Sequence, residues 1–443
     1  MNNSETVSIS RGEASSLIKL LIGNTSASQK LSNDELLAIL TSLKVEARET
    51  KKVTRTFTKE SLDVLVDYGS ISNALEIRLE ALRIIANALL LSPDLREQLD
   101  VVPIMAQQYK KGASTDEELV VGRIMFLSTM QPRTYEADVL KGLHEYILLH
   151  ITRHSEGDLC GSSLPALTET CKLLFNVLCK FSDDSPSYED VIRPLSTIIK
   201  RLPRTLNSVS RAVISCLLKL PCMLNVCFTD GATMEQLEVL FEVLDNAIRT
   251  QSLDTPGFDD SIVPLLLLLS NIFTSAHNED VTEYFKTMIF PSEKERCRPL
   301  GASSSLASHL LQITTKPTFM KSREVIFQLM WDASDRDVRK FIYHIGFGYA
   351  IGYIVNHKIA VPDDVLRENM DKYPSDNINV VTGQRLDTED QFSPLANMTD
   401  EEKEREAERL LVLFERIRAN GVINVENPIR TAVESGRFQV LPD

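Results

Sequence analysis

The chain has 443 residues, 43% of them hydrophobic, and carries a formal net charge of −14 at pH 7. A chain of this length exceeds one compact core, so we expect several units or an elongated array of repeats. The acidic balance argues against nucleic acid as the main partner and against an anionic membrane surface, because both bind basic surfaces. A protein partner of basic or mixed charge remains compatible with it.

Seven cysteines are an odd number, and most of them fall inside apolar helical runs. They form no paired CxxC units with the spacing of a zinc site, and the first residues lack the pattern of a signal peptide. The longest apolar run, Ile262–Leu269, is interrupted by Pro264 and is too short to cross a bilayer. The sequence therefore predicts a cytoplasmic protein with reduced thiols, without metal or cofactor and without direct membrane insertion.

From about Glu13 to Lys358, one apolar-periodic segment follows another. Segments such as Arg78–Leu91, Leu164–Lys180 and Val209–Leu220 place apolar residues at offsets of three and four, which is typical of amphipathic helices. Short breakers that contain Pro, Gly, Asp and Ser separate these segments, and no run of alternating β-branched residues indicates a strand. We predict an all-α, armadillo/HEAT-like solenoid over residues 1–358.

Asparagine recurs in the middle of three predicted helices, at Asn87, Asn176 and Asn271. These residues are 89 and 95 positions apart, which is about twice the ~40–47-residue period of armadillo and HEAT repeats. Helix interiors disfavour asparagine, so the recurrence needs a reason. In armadillo-like stacks such residues line the concave groove and bond the backbone of a bound peptide. The alternative is that each asparagine packs helices together by bonding a neighbouring loop.

The composition changes after about Ala360, and residues 359–397 are predicted to form an acidic, partly irregular linker. Asp363–Glu408 contains 14 acidic and 5 basic residues, and its Asn-, Asp-, Ser- and Pro-rich part is too polar to order itself.

A capped amphipathic helix follows within residues 398–443. Thr399 and Glu402 form a capping box at its start. Its apolar stripe is predicted to dock on the body of the chain or on a partner, and it consists of Leu410, Leu411, Phe414 and Ile417. Thr399 stands before acidic residues and is therefore a candidate phosphorylation site, although its capping role alone explains the residue.

Signatures of covalent catalysis are missing from the sequence. It contains no phosphate-binding loop, GxSxG, HExxH or kinase motif. Gly346-Phe347-Gly348 lacks the spacing of a dinucleotide loop, and close packing of helices explains these glycines better. His150 and His154 share one helix face, but no further ligand completes a metal site.

Three segments near the C-terminus resemble the synembryn family. Val338–Ala350 reads VRKFIYHIGFGYA, which is similar to the family's V-x-x-F-I/V-x-Y-x-G-Y-G-x-A stretch. Asn379–Gly383 reads NVVTG, like the family's NPVTG, and Met398–Ile423 is similar to its MTEEQKE-x-EA helix. Weaker similarity reaches the helices of Asn87 and Asn176. The last residues depart from the animal pattern, which indicates a fungal or otherwise divergent member.

The resemblance implies a right-handed armadillo/HEAT-like helical-repeat superhelix that serves heterotrimeric G-protein α subunits as a chaperone and guanine nucleotide exchange factor. It implies that the C-terminal helix of the α subunit occupies the concave groove, which Asn87, Arg123 and Asn176 line. The tail helix would brace the Ras-like domain of a GDP-bound or nucleotide-free α subunit. We expect a monomer that reaches the inner face of the plasma membrane through this partner. The alternative function is an armadillo-type peptide-binding scaffold without exchange activity.

Overall fold

The computed structural model describes most of the chain as helices. The described residues are 14–181, 187–220, 232–250, 255–276, 278–362 and 377–389, together with residues 399, 401, 405, 408, 409, 412 and 416. Across these residues the structure contains α-helices and short 3-10 turns but no strand, and the only β-type pairing is an isolated bridge between Ile378 and Arg385. The prediction of an all-α fold is confirmed.

The chain divides into two compact units, of which the first ends at Val239 and the second begins at Leu240. The helices of the first unit are α1 (Ala14–Ser26), α2 (Asn33–Glu46), α3 (Thr50–Thr56), α4 (Lys59–Tyr68), α5 (Leu75–Leu91), α6 (Pro93–Gln98), α7 (Val102–Tyr109), α8 (Thr115–Thr129), α9 (Ala137–Glu156), α10 (Ser163–Lys180), α11 (Ile192–Arg201) and α12 (Ser208–Lys219). The unit boundary falls inside α13 (Ala232–Thr250). The predicted division at residues 358 and 397 stays a prediction.

Local sequence signals explain where several of these helices begin. Ser32 and Glu35 form a reciprocal capping box at the start of α2, and Ser114 and Glu117 form another at the start of α8. Such a box satisfies two backbone N–H groups that have no partner within the helix. Ser92 caps α6 with Pro93 in the first turn, where a missing N–H costs nothing.

The first unit is built from two rows of packed helices. One row, here called the ladder row, runs α2, α5, α8, α10, α12, each helix packed on the next. The other row runs α7, α9, α11, and the pairs α7–α8, α9–α10 and α11–α12 join the two rows. Leu82, Ile124 and Leu174 are completely buried in the ladder row, since the apolar stripe of each helix faces its neighbours.

The helices of the second unit are α14 (Phe258–Ser275), α15 (Glu279–Ile289), α16 (Leu306–Thr315), α17 (Met320–Ala333), α18 (Val338–Ile345), α19 (Phe347–Asn356) and α20 (Leu386–Glu389). Helix α17 packs on both α14 and α16. The only tryptophan of the chain, Trp331, lies on α17 and packs edge to face against the ring of Phe341, with the ring centroids 5.5 Å apart. Tilted aromatic pairs of this kind add stability beyond the area they bury.

Helix α14 is long and apolar enough to cross a membrane by length and composition alone. A core helix passes the same test, and Leu265 and Leu269 of α14 are completely buried. The helix is therefore weak evidence for a membrane span.

The described residues of the tail, apart from Thr399, are helical, and all are exposed: they include Glu401, Arg405, Val412 and Arg416. The predicted stripe of Leu410, Leu411, Phe414 and Ile417 lies outside the described residues. The docking of the tail helix stays a prediction.

Candidate functional site: a charged face on the ladder row

Basic side chains lie along the exposed side of the ladder row, although the whole chain is acidic. Lys44 comes from α2, Arg83 from α5, Arg123 from α8 and Lys172 from α10. We call this surface, with Asn87 and Asn176, the ladder face. Its basic side chains do not stand alone, because each contacts a buried carboxylate on α5 or α10.

The first of these carboxylates is Glu80, whose side chain is only 9% exposed. Lys44 Nζ lies 2.5 Å from one carboxylate oxygen, and Arg83 Nη1 lies 2.5 Å from the other. Burial alone would raise the pKa of Glu80, but the bonds from Lys44 and Arg83 outweigh burial and lower it. Asn87 follows Glu80 by two turns and is half-buried, and its side chain makes no hydrogen bond to the described part of the chain.

The second carboxylate, Glu169, is equally buried, with its side chain 5% exposed. Its Oε1 accepts from Arg123 Nη2 at 3.0 Å and from Lys172 Nζ at 3.1 Å. Lys172 also lies over the ring of Phe126, 5.7 Å from the centroid, which is a favourable cation–π distance. Arg123 and Lys172 are each about two-fifths exposed, so one side of each cation stays open to solvent.

Asn176 follows Glu169 by two turns on α10, and its side chain bonds the neighbouring helix α8. Its Nδ2 donates to the Phe126 carbonyl at 3.2 Å and to Thr129 Oγ1 at 3.1 Å. This is a packing contact, as one of the two interpretations of the asparagines expected. The amide oxygen makes no hydrogen bond within the described chain, so it remains able to accept from a bound backbone. Asn271 lies exposed on α14 in the second unit.

The two carboxylate clusters are repeats of one pattern. Glu80, Arg83 and Asn87 on α5 correspond to Glu169, Lys172 and Asn176 on α10, each pair 89 residues apart. Offsets of three and seven residues bring these side chains onto one helix face. The asparagines and Arg123 were predicted before the structure was known, but the two glutamates and the other three cations, Lys44, Arg83 and Lys172, were not. The pattern E-x-x-[K/R]-x-x-x-N is legible in the sequence and was the available signal.

The two asparagines differ in internal bonding, which predicts different effects on folding. Asn176→Ala removes two hydrogen bonds and should lower the free energy of unfolding by about 0.5–1.5 kcal/mol. Asn87→Ala removes none of those in the described structure and should leave it unchanged. Urea unfolding of both variants followed by circular dichroism measures the difference. Equal losses would mean that the Asn176 bonds contribute nothing.

His150 and His154, which share a face of α9 as predicted, lie against a buried acid. His154 Nε2 lies 3.0 Å from both carboxylate oxygens of Glu118 on α8, and His150 Nδ1 lies 3.3 Å from one of them. The Arg153 guanidinium bonds the same carboxylate. Among the described residues, no group of three or more His, Cys, Asp or Glu side chains is arranged to hold a metal ion.

Comparison with known proteins identifies the family. The model of a family described as guanine nucleotide exchange factor synembryn (Ric8) matches residues 39–437. A synembryn-like chaperone of Schizosaccharomyces pombe is 27% identical over 198 residues, which cover 42% of this chain and 36% of that protein. A chaperone Ric-8 of Drosophila pseudoobscura pseudoobscura is 26% identical over 212 residues, which cover 45% of this chain and 36% of that protein.

A chaperone Ric-8A of Macaca fascicularis is 22% identical over 439 residues, and the match covers 87% of this chain and 81% of that protein. The chain thus spans only about a third of the length of the yeast and fly relatives but most of the macaque one. The family resemblance of the three C-terminal segments is confirmed. Because the family model covers nearly the whole sequence, this chain belongs to the synembryn (Ric8) family.

Proposed function

We propose that this protein is a guanine nucleotide exchange factor and folding chaperone for heterotrimeric G-protein α subunits. The match of the synembryn family model to residues 39–437 carries this proposal. Relatives that are named chaperones support the chaperone activity. Exchange of this kind makes and breaks no covalent bond, so the activity requires binding surfaces and no catalytic residue.

In the proposed mechanism, the ladder face lies in the groove that takes the C-terminal helix of the α subunit. The amides of Asn87 and Asn176 bond the backbone of that helix, and Arg123 pairs with a carboxylate. The protein thereby binds the open, nucleotide-free α subunit more tightly than the closed, nucleotide-bound form. Incoming GTP favours the closed form and releases the protein. Chaperoning is the same preference applied to a newly made, empty α subunit.

The tail is the second contact in this mechanism. Its stripe of Leu410, Leu411, Phe414 and Ile417 braces the Ras-like domain of the α subunit. Thr399 at its start is exposed, so a kinase has access to it, and a phosphate there would favour the positive end of the helix dipole. We further propose that the protein acts as a cytoplasmic monomer and reaches the inner face of the plasma membrane through its partner.

The second candidate function is a peptide-binding scaffold that leaves the nucleotide state unchanged. The repeated clusters on the ladder face are compatible with it, since a passive groove needs them as much as an exchange factor does. The tail distinguishes the two functions, because peptide binding in a passive groove does not require it.

The test is GDP release from a purified α subunit in excess GTP, with and without this protein. We expect faster release and a stable complex that GTP dissolves. Removal of residues 397–443 should abolish the acceleration while binding to the ladder face persists. Binding without acceleration by the full chain would leave the scaffold function. Unchanged acceleration by the shortened chain would remove the tail from the mechanism.

A further inference from the structure

Residues 48–59 of the first unit form a basic segment on the surface of an acidic protein. They include five basic residues and one acidic residue, while the whole chain carries a net charge of −14. The basic segment comprises the end of the turn after α2, the seven-residue helix α3 and the start of α4. Eight of its twelve residues are exposed, and only Val53 and Phe57 are buried. The basic segment thus presents most of its side chains to solvent.

Four of the five cations in the basic segment lack an acidic partner. Lys52 is the exception, because it pairs with two glutamates beside it. The other four side chains are exposed and make no ion pair or hydrogen bond with the described part of the chain: Arg48, Lys51, Arg55 and Lys59. Lys51 and Arg55 are four residues apart on α3, and like charges at this spacing destabilise a helix. A bound anion would remove this repulsion.

The surroundings of these four cations indicate which kind of anion fits them. Peptides bind in grooves or along sheet edges, but these cations are exposed on a turn and a short helix. Phe57 is the only aromatic residue of the basic segment and is buried, so no ring is available to stack on a nucleic-acid base. Val45, one turn before Arg48, is 51% exposed, and an apolar side chain beside cations suits the boundary between lipid headgroups and acyl chains. A layer of anionic headgroups requires neither a groove nor a ring.

The acidic excess of the whole chain is compatible with such a local contact. Asp363–Glu408, with 14 acidic and 5 basic residues, carries most of that excess. At physiological ionic strength, exposed charges more than about 8 Å apart are largely screened from one another. The attraction to a charged surface is therefore decided by the side chains that approach it, and those of the basic segment are mostly positive.

We propose that the basic segment is a membrane-contact site that binds the phosphate-bearing headgroups of an anionic bilayer. The contact is peripheral and electrostatic, and no helix enters the bilayer. Each Lys or Arg near such a surface strengthens binding about fivefold. A contact of four cations is weak, and stable anchoring to a membrane takes two signals. The inference goes beyond the proposed function, in which the protein reaches the membrane through its partner, and it does not depend on that function.

Co-sedimentation of the full-length protein with lipid vesicles tests the proposal. One set of vesicles contains phosphatidylcholine alone, and the other contains equal parts of phosphatidylcholine and phosphatidylserine. At low salt the protein should bind only the vesicles with phosphatidylserine, and high salt should release it. Equal binding to both sets, or no binding to either, would overturn the proposal. The assay contains no α subunit, so its failure and the failure of GDP release are separate results.

A double variant then assigns vesicle binding to the basic segment. Lys51→Gln/Arg55→Gln removes two exposed cations without an ion partner, so circular dichroism should show an unchanged fold. Its affinity for the vesicles with phosphatidylserine should fall about thirtyfold. Lys111→Gln/Lys141→Gln makes the same charge change at exposed positions after α7 and on α9, and it should bind like wild type. Equal losses in the two double variants would show that total charge, and not the basic segment, determines binding.

Two competitors distinguish headgroups from other anions. Inorganic phosphate should displace the vesicles no better than sodium chloride of equal ionic strength, and poly-glutamate should displace them only weakly at a matched concentration of negative charge. Specific displacement by phosphate would overturn the proposal in favour of a site for the free ion. Poly-glutamate that binds more tightly than the vesicles, and requires Lys51 and Arg55 to do so, would overturn it in favour of an acidic protein segment.

Discussion

Replacement of Glu118 by glutamine should destabilise the first unit by about 3–5 kcal/mol, the usual cost of removing one partner of a buried ion pair. Glu118 is completely buried on α8. From α9 it receives the Arg153 guanidinium and the two histidine rings, and from α10 Thr170 Oγ1 donates to it at 2.7 Å. One carboxylate thus joins three helices, and its neutralisation leaves Arg153 without its anion.

Glu118 also makes the free energy of unfolding depend on pH, and the sign of this dependence follows from the pKa of its carboxyl group. Burial alone would raise the pKa of Glu118, but the bonds from His150 and His154 outweigh burial and hold the pKa well below its usual value of 4.5. A carboxyl group whose pKa is lower in the folded chain than in the unfolded chain stabilises the fold. This stabilisation is complete above the pKa of the unfolded chain, and it is lost as the pH falls towards the pKa of the folded chain. The difference in the free energy of unfolding between wild type and Glu118→Gln should therefore shrink as the pH falls below 4.5.

The position of the only tryptophan allows the unfolding of the second unit to be followed separately. Trp331 lies on α17 in the second unit, so its fluorescence follows that unit, while far-ultraviolet circular dichroism follows all helices. In urea, Glu118→Gln should shift the circular-dichroism transition and leave the fluorescence transition in place. Glu156→Gln, an exposed glutamate at the end of α9, is the matched control and should shift neither. A circular-dichroism midpoint that does not move would show that Glu118 is dispensable.

The three acids at the start of α8 show where sequence-based prediction ends. Asp116, Glu117 and Glu118 all suit the first turn of a helix, where acids favour the dipole. In the structure Asp116 is exposed, Glu117 closes the capping box, and Glu118 is buried against α9 and α10. Local pattern predicts a cap, but burial of a charge depends on which cations the fold brings near it.

The helices could be predicted from the sequence because apolar periodicity is a local pattern. The ion pairs between helices could not, because they depend on how the fold brings distant residues together. The recurrence of Asn87 and Asn176 marked equivalent helices correctly. The glutamates beside them looked like ordinary exposed helix residues, because their cations Lys44 and Arg123 come from other helices. Close packing of helices was also the predicted reason for Gly346. The structure instead places it between two helices, against a loop from the second family-like segment.

That contact involves Gly346 between α18 and α19 and the segment 377–389, part of the predicted linker. The N–H groups of Phe347 and Gly348 donate to Val380 and Val381 carbonyls at 2.8 and 2.9 Å, so the segment satisfies the open start of α19. Arg296, 2% exposed, donates to the carbonyls of Gly383 and His344 at 2.9 and 3.0 Å. The segment is therefore held from two sides.

Gly346→Ala should release this segment, because glycine alone fits the position. Its backbone has φ 78° and ψ 149°, a region essentially restricted to glycine. An added Cβ would lie 2.8 Å from the backbone N of Gly383 and C of Thr382, and backbone atoms cannot move aside as a flexible side chain does. We expect a loss of about 2–4 kcal/mol in the second unit.

Hydrogen exchange and Trp331 fluorescence measure this loss. In Gly346→Ala the amides of residues 377–389 should exchange faster, and the urea midpoint of the fluorescence transition should fall. Gly352→Ala is the matched control, because its Cβ would meet nothing within 4 Å inside α19. Alanine favours helices over glycine by about 1 kcal/mol, so this control should be neutral or stabilising. Unchanged exchange of the segment in Gly346→Ala would mean that the loop adapts to the methyl group. In that case the glycine would not be what joins the two family-like segments.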